Sequence, residues 1–558
     1  MSTSRHCTRR LLAAGLIAIV ALSGAVGAAA LRGTVAASEV NATKSRAGLS
    51  VVPMQPRMAA KLKAQGRALP ALVGTTVNKG RKFNPPGSGI TPTSLDARQK
   101  VLVLFVKTAD DPPGGPATRA DLTLFDDMLF GTTYDPPAYA TYPGHPANST
   151  LKNYFKEATY GAVDVVTLDP PSATGWLQAP QPYSYYCRAD GIHDNGFGPY
   201  PENAQGLVIE AIKAADPIVD FSQYAKDGAV PNLFVVHTGT GAEWSAAPDL
   251  LWSHSSDLSS GTDLDGFTVD GVRVNNYAMM PEVGGDLTGF LGAVSGPYPA
   301  TVGVYAHEYG HVLGLPDQYD YGYESSGTGN FSLMAGGSWN QWPQDEIFAG
   351  NSPSSLDAGS KYGLGIVTPT VVTRASSATL QPSVTSPTVY KMVVPGSGGK
   401  ESFLFENRQN IGFDKGLLAW RMGSDGKWIT APMHGLAIYH VDDTVFSRNF
   451  WAPNEAENWK ESRSTGWRKA WTGETHYGIS ILQADDRWDL EHGYNSGDTA
   501  DLYPGSGNVT AVGDHTRPNT SSYYFWLGNE PRYGCSGITA TNIREQGGIV
   551  SLRLSFAP

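Results

Sequence analysis

Two histidines four residues apart, His307 and His311, flank Glu308 in the stretch Ala306-His307-Glu308-Tyr309-Gly310-His311-Val312-Leu313-Gly314-Leu315-Pro316-Asp317. On a helix, positions i and i+4 share a face, so both imidazoles can direct nitrogens at one ion while the carboxylate stands beside them. The spacing predicts a clamp for Zn2+, an ion that takes nitrogen and oxygen ligands in a tetrahedron. A catalytic zinc site uses a third protein ligand and leaves one position open for water, whose proton Glu308 would accept as general base. Gly314 supplies the way to that third ligand. Glycine tolerates the left-handed backbone that ends a helix, so the chain can turn there and bring Asp317 back to the ion, with Asp320 and Glu324 as the alternatives. His237, His254, His434 and His440, beside apolar runs, read instead as structural histidines.

The elements that must position this helix are legible upstream. Val101-Leu102-Val103-Leu104-Phe105-Val106 is a continuous apolar run of strand length, the mark of a strand buried on both faces in a parallel or mixed sheet. Leu233 to Val236 reads as a second. Ser149 to Ala158 carries a helix start, and Asn203 to Ala215 a helix with Leu207, Val208, Ala211, Ile212 and Ala215 on one face. This alternation makes residues 99–368 an α/β unit. After Pro369 the helical signals fade, and short runs at Val371–Arg374, Val389–Val394, Leu436–His440, Ile479–Gln483 and Val550–Phe556 predict a β-rich region over 369–558, most simply a β-sandwich.

The N-terminus reads as an export signal over residues 1–30: Arg5, Arg9 and Arg10 precede the apolar stretch Leu11 to Ala30. Secretion follows, with no membrane attachment once the signal is cut. Residues 31–98, rich in Ala, Lys, Pro and Gly and ending in the linker-like Phe83 to Gly89, read as a propeptide. It holds no cysteine, so a metal could be masked there only by Glu39, Asp96, a carbonyl or plain steric cover. With Cys7 leaving in the signal, Cys187 and Cys535 remain able to pair. A net charge of −11 and no basic concentration exclude nucleic acid as a partner.

These residues resemble the secreted bacterial zinc peptidases of the immune inhibitor A type. The resemblance rests on His307 to Asp320 (HEYGHVLGLPDQYD), Phe331 to Trp339 (FSLMAGGSW), Asn153-Tyr154-Phe155 with Tyr160-Gly161, Leu356-Asp357-Ala358 with Lys361 to Gly365, and Glu406-Asn407-Arg408-Gln409. It implies zinc on His307 and His311, Glu308 as catalytic base, and a precursor with signal and propeptide. Asp317 as third ligand comes from spacing. Met334 would form the methionine-bearing turn that floors the zinc site in metzincin-type peptidases, giving an α/β zincin fold. The expected activity is endopeptidase hydrolysis of extracellular proteins or peptides. An edge strand near Phe267 to Val274 would pair with the extended substrate.

Members of that family often carry a calcium-loop-like stretch before the strand at Leu233, where this chain has only Tyr224-Ala225-Lys226-Asp227-Gly228. Ca2+ could instead be held by Asp485, Asp486, Asp489, Glu491, Asn495, Asp498 and Asp501. The rival reading is an inactive secreted binding protein with a structural zinc. Such a site closes its coordination sphere, usually with cysteine, and none is near. A zinc aminopeptidase with a distant glutamate ligand is disfavoured by Gly314 and Met334.

Overall fold

In the computed structural model, the apolar run at residue 101 sends alternate side chains into two different layers. Val103 and Phe105 join one apolar cluster, and Leu102, Leu104 and Val106 join another on the opposite side of the sheet. The structure describes residues 50–67 and 95–556, apart from 111, 113–118, 143, 263, 288, 290–294, 423–427, 449, 451, 456–476 and 524–533. The expected signal over 1–30 and the linker at 83–89 lie outside the described residues.

The first elements are a short strand β1 (Ser50–Val51) and helix α1 (Pro56–Ala64), started by the Gln55 side chain accepting from Met58 N. Then follow β2 (Leu102–Lys107), α2 (Leu151–Ala158), β3 (Trp176–Gln178), α3 (Ala204–Ala215), β4 (Leu233–Thr240), β5 (His254–Asp257), β6 (Asn276–Asp286), β7 (Ser295–Pro299) and α4 (Val302–Leu313). Thr150 and Asn203 cap α2 and α3 as their sequences predict, each accepting from the amide three residues on.

One mixed sheet runs β1-β5-β6-β4-β2-β3, with β7 also paired to β6. The strands β6, β4, β2 and β3 are mutually parallel, while β5 is antiparallel to β6 and β1 antiparallel to β5. Helices α2 and α4 contribute to the cluster on one face and α3 to that on the other. Parallel strands covered on both faces explain why β2 and β4 read as unbroken apolar runs.

Beyond residue 369, a five-stranded sheet contains Thr370–Val371, Tyr390–Val393, Glu401–Arg408, Gly435–Asp442 and Ile479–Ile481. A three-stranded sheet contains Ser376–Leu380, Ile538–Gln546 and Ile549–Phe556. Both feed one apolar cluster, with Met392, Phe403, Phe405 and Ile438 from the first and Ala378, Ala540, Val550 and Leu552 from the second. Among the described residues no helix is long and apolar enough to cross a membrane.

An open pairing is decided, and one expectation fails. Cys187 is a free, buried thiol donating to the Pro248 carbonyl at 3.8 Å, so it does not pair with Cys535. Burial raises its pKa well above the usual thiol range, which keeps it protonated and inert. The strands Phe267–Val269 and Val272–Val274 belong to a separate small sheet with Ala229–Val230, packed beside α3, so they are not the strand beside the histidines. That place belongs to β5, whose short polar sequence His254-Ser255-Ser256-Asp257 carries no apolar alternation to betray it.

Candidate metal centre

Helix α4 is buried on nearly every side, because it lies between the sheet and the segments that follow it. Tyr305 and Tyr309 face the sheet. The Tyr305 hydroxyl donates to the Pro281 carbonyl at 2.8 Å, and the Tyr309 ring meets Phe155 and Phe234 edge-on at 5.0 and 5.5 Å. Helical periodicity then turns His307, Glu308 and His311 away from those two tyrosines, and all three are buried. The helix ends where expected: Gly314 has φ +107°, its N–H donating to His311 O at 2.9 Å, while Leu315 N–H donates to Gly310 O at 2.9 Å.

That reversal brings Asp317 back to the histidines. His307 Nε2 and His311 Nε2 are 3.2 Å apart, and Asp317 Oδ1 is 3.2 Å from each. Each histidine turns its other nitrogen to a carbonyl, His307 Nδ1 to Leu333 O at 2.9 Å and His311 Nδ1 to Leu315 O at 2.8 Å. A carbonyl only accepts, so each Nδ1 carries the proton and each Nε2 presents a lone pair to the triangle. A tetrahedral ion with bonds of roughly 2.0–2.1 Å has ligand–ligand edges of roughly 3.3 Å. The observed triangle fits a zinc-sized ion. Asp317 Oδ1 and both oxygens of Glu308 are buried without a hydrogen-bond partner, which is costly unless positive charge faces them.

The electrostatics agree. Burial pushes the His307 imidazole below its ordinary pKa, favouring the neutral form that can ligate. Burial alone would raise the Asp317 carboxyl, but His311 and His307 outweigh it and hold it low. Burial, followed by Asp317 and Glu243, pushes Glu308 well above the usual carboxylate range. Positive charge in the triangle would restore the carboxylate form.

Met334 lies directly beneath this helix. A Cβ added at Gly310 would sit 2.6 Å from Met334 Sδ, so the glycine inside the histidine motif makes room for the methionine floor. The turn bearing Met334 is held from several sides. Ser332 Oγ accepts from Met334 N and donates to Asp357 Oδ2 at 2.8 Å, Gln318 N–H donates to Met334 O at 2.8 Å, and Arg408 donates to Phe331 O at 2.7 Å. Lys361 and Arg408 are neutralised within the protein by Glu406 and Asp414. The scattered motif residues 357, 361, 406 and 408 thus anchor the floor of the site to the β-rich region.

Of the alternative ligands, Asp320 spends its oxygens on the amides of Gly322 and Ser325, each at 3.0 Å, and Glu324 is exposed. His237, His254, His434 and His440 are elsewhere engaged: His237 Nδ1 with Thr238 O, His254 with Trp252 O and Tyr277 OH, His434 with Glu545, and His440 with Glu401.

Sequence reasoning missed the aromatic frame around the cleft. The Tyr321 hydroxyl donates to Asp317 Oδ2, orienting the third carboxylate. Trp252 Nε1 donates to Val52 O at 2.8 Å, Trp339 Nε1 to Pro53 O at 2.8 Å, and the Tyr319 hydroxyl to Val51 O. Val52 N–H reaches Ser253 O at 3.2 Å, and β1 adds to the β5 edge with Val51 opposite His254. The segment Ser50–Gln55, of which Ser50–Val51 is strand, therefore runs along β5 beside these aromatic side chains. Asp96, in contrast, is on the surface, paired with Lys226 at 2.5 Å, and masks nothing. Glu39 lies outside the described residues.

Residues 99–362 match the immune inhibitor A peptidase M6 catalytic domain, a span that contains His307, Glu308, His311, Asp317 and Met334. The segment belongs to the immune inhibitor A-like metallopeptidase family. Over 294 residues the chain is 31% identical to immune inhibitor A of Bacillus thuringiensis subsp. alesti, covering 47% of this chain and 39% of that protein. It is 30% identical over 281 residues to the pre-pro-metalloprotease PrtV of Vibrio cholerae serotype O1, covering 44% of this chain and 28% of that protein. The chain spans well under half the length of these relatives. The match supports a metallopeptidase domain in this segment and implies a metal cofactor, typically zinc.

Proposed function

We propose that the chain is a secreted zinc-dependent endopeptidase of zincin type, with a β-sandwich C-terminal region, made as a precursor whose residues 31–98 close its own cleft. The observation that carries the reading is the 3.2 Å triangle of His307 Nε2, His311 Nε2 and Asp317 Oδ1 beside the partnerless carboxyl of Glu308. Zinc held by those three residues would supply Lewis acidity toward water and toward a peptide carbonyl. Glu308 takes a proton from the attacking water as its oxygen adds to the carbonyl carbon, then hands that proton to the departing amine nitrogen. Leu333 O and Leu315 O fix the imidazoles, and Tyr321 fixes Asp317. The β5 edge would align an extended substrate, its backbone pairing giving affinity without a sequence demand.

Two features support latency. Ser50–Gln55 occupies the β5 edge that a substrate strand would need, and Val51, Val52 and Met54 are at most 2% exposed. A structural-zinc binding protein is supported less well, since among the described residues the cluster holds three ligand groups and a closed site uses four. The test is Glu308→Gln, whose amide keeps the shape but cannot take the proton. Metal content should stay at wild-type level while casein hydrolysis falls by at least roughly a hundredfold. Near-normal hydrolysis by the variant would remove the proposed base.

A further inference from the structure

Where α1 meets the segment that follows Met334 there is a pocket of about 300 Å3, its open mouth included, with Gln55, Arg57, Asn330, Trp339, Gln344 and Trp420 in its wall. Arg57, on the segment that also covers the β5 edge, reaches into it. That residue is 7% exposed, and its Nη2 donates to Gln344 Oε1. Burial lowers the Arg57 guanidinium to about 10, while the charges of Glu346 and Asp345 pull it upward, so it stays cationic at neutral pH.

Two amides supply acceptors to this pocket. Gln344 is oriented, because its Nε2 donates to Gln341 O at 2.6 Å and leaves Oε1 for the guanidinium. Asn330 is 1% exposed, and among the described residues neither its Oδ1 nor its Nδ2 has a hydrogen-bond partner. Its backbone is fixed, the carbonyl accepting from Asn340 Nδ2 at 3.0 Å and from Ser354 Oγ at 2.8 Å. A Cβ on Gly336 would stand 3.1 Å from Asn330 Oδ1, so glycine there keeps that oxygen uncovered. Buried amides are almost always bonded, and one left open in a pocket wall marks the place of a ligand group. The β5 edge leads to this pocket. Val52 N–H donates to Ser253 O at 3.2 Å and Gln55 N–H to Glu243 O at 3.0 Å, so a strand held by those carbonyls arrives at its mouth.

We infer that this pocket is a substrate subsite for long side chains ending in a hydrogen-bond-donating cation, arginine above all, with Gln344 Oε1 and Asn330 Oδ1 as its acceptors. The inference rests on the peptidase reading above and names a substrate class for it. Arginine presents five donors in a planar fork, which two fixed amide oxygens can receive, and the indoles of Trp339 and Trp420 suit its flat face. A site built to hydrogen-bond a side chain rejects the apolar analogue, because its own polar groups are then left unpaired. Arg57 holds the place in the precursor, and a substrate arginine takes it once residues 31–98 have left.

The first arm of the test uses the full Glu308→Gln chain, so that it does not depend on peptidase activity. Arg57→Ala vacates the pocket there, and N-acetyl-arginine amide or N-acetyl-norleucine amide is added while the melting temperature is followed. The arginine amide should raise the melting temperature of the Arg57→Ala chain and not of its parent, the norleucine amide should raise neither, and adding Gln344→Leu should abolish the rise. No rise in the vacated chain, or an equal rise in the parent, overturns the inference. The second arm uses the active enzyme matured from the full chain, on quenched fluorescent peptides carrying arginine or norleucine at each position in turn around the cleaved bond. Arginine should raise kcat/KM at least roughly tenfold at one position, Gln344→Leu should shrink that ratio at least roughly tenfold, and Gln344→Glu should widen it. Cleavage without any arginine preference overturns the subsite and leaves the peptidase reading standing. If no peptide is cleaved, the peptidase reading fails, and the first arm decides on its own whether the pocket takes a guanidinium.

Discussion

Met54 is the side chain on which closure of the cleft by its own N-terminus can be measured. It follows the strand β1, is 2% exposed, and packs in the same cluster as Trp339, Tyr319 and Met334, while its N–H donates to the Tyr323 hydroxyl at 3.2 Å. Met54→Ala leaves the backbone bonds of Val51, Val52 and Pro53 untouched and removes only apolar contact. Truncating a buried methionine costs roughly 2–5 kcal/mol, and each 1.4 kcal/mol is tenfold in affinity. A synthetic peptide of residues 50–67 should therefore inhibit enzyme freed of residues 1–98, and its Met54→Ala version should inhibit at least roughly thirtyfold more weakly. The assay is steady-state hydrolysis of a quenched fluorescent peptide at several inhibitor concentrations. Indistinguishable inhibition constants would mean that Met54 is not seated in the cleft. If neither peptide inhibits, Ser50–Gln55 does not block the substrate edge and the latency reading falls with it.

Asp317→Ala should release zinc on dialysis, whereas Asp320→Ala should keep it and lower the melting temperature, because only the turn amides of Gly322 and Ser325 lose their acceptor; equal zinc retention by both and the wild type would move the third ligand elsewhere. Gly310→Ala gains helix propensity yet places a methyl 2.6 Å from Met334 Sδ, so a net loss of about 1–3 kcal/mol in denaturant unfolding is expected, partly restored by adding Met334→Ala. A stabilised single variant would contradict the proposed floor. Glu243, bonded to Ser253, is raised by burial from 4.5 to about 7, so its stabilising proton is fully in place below pH 4.5 and is lost as pH rises through about 7. Glu243→Gln should match the wild type in melts below pH 4.5 and exceed it by up to roughly 3 kcal/mol above pH 8; an equal difference at both ends would break the linkage.

The local parts of this protein were written in short stretches of sequence. His307, Glu308, His311 and Gly314 depend on helical periodicity and on one left-handed residue, and both are properties of neighbours along the chain. The same holds for β2 and β4, because a strand covered on both sides must be apolar at every position. Asp317 was within reach for that reason too, being only six residues beyond His311. What required the tertiary structure was every contact made between distant segments. Gly310 is small because Met334, far along the chain, fills the space below it, and no periodicity encodes that. The place of β5 was hidden because a short polar strand has no alternation; it is set by pairing with β6 and β1, while Phe267–Val269 and Val272–Val274 pair in a separate sheet. Cys187 stays unpaired because the fold buries it against Pro248, a fact that cysteine counting cannot supply. The acidic loop was legible as charge, but only packing decided that Asp485, Asp498 and Asp501 converge. Composition fixes how much charge a loop carries, while burial decides which of those charges must find a partner.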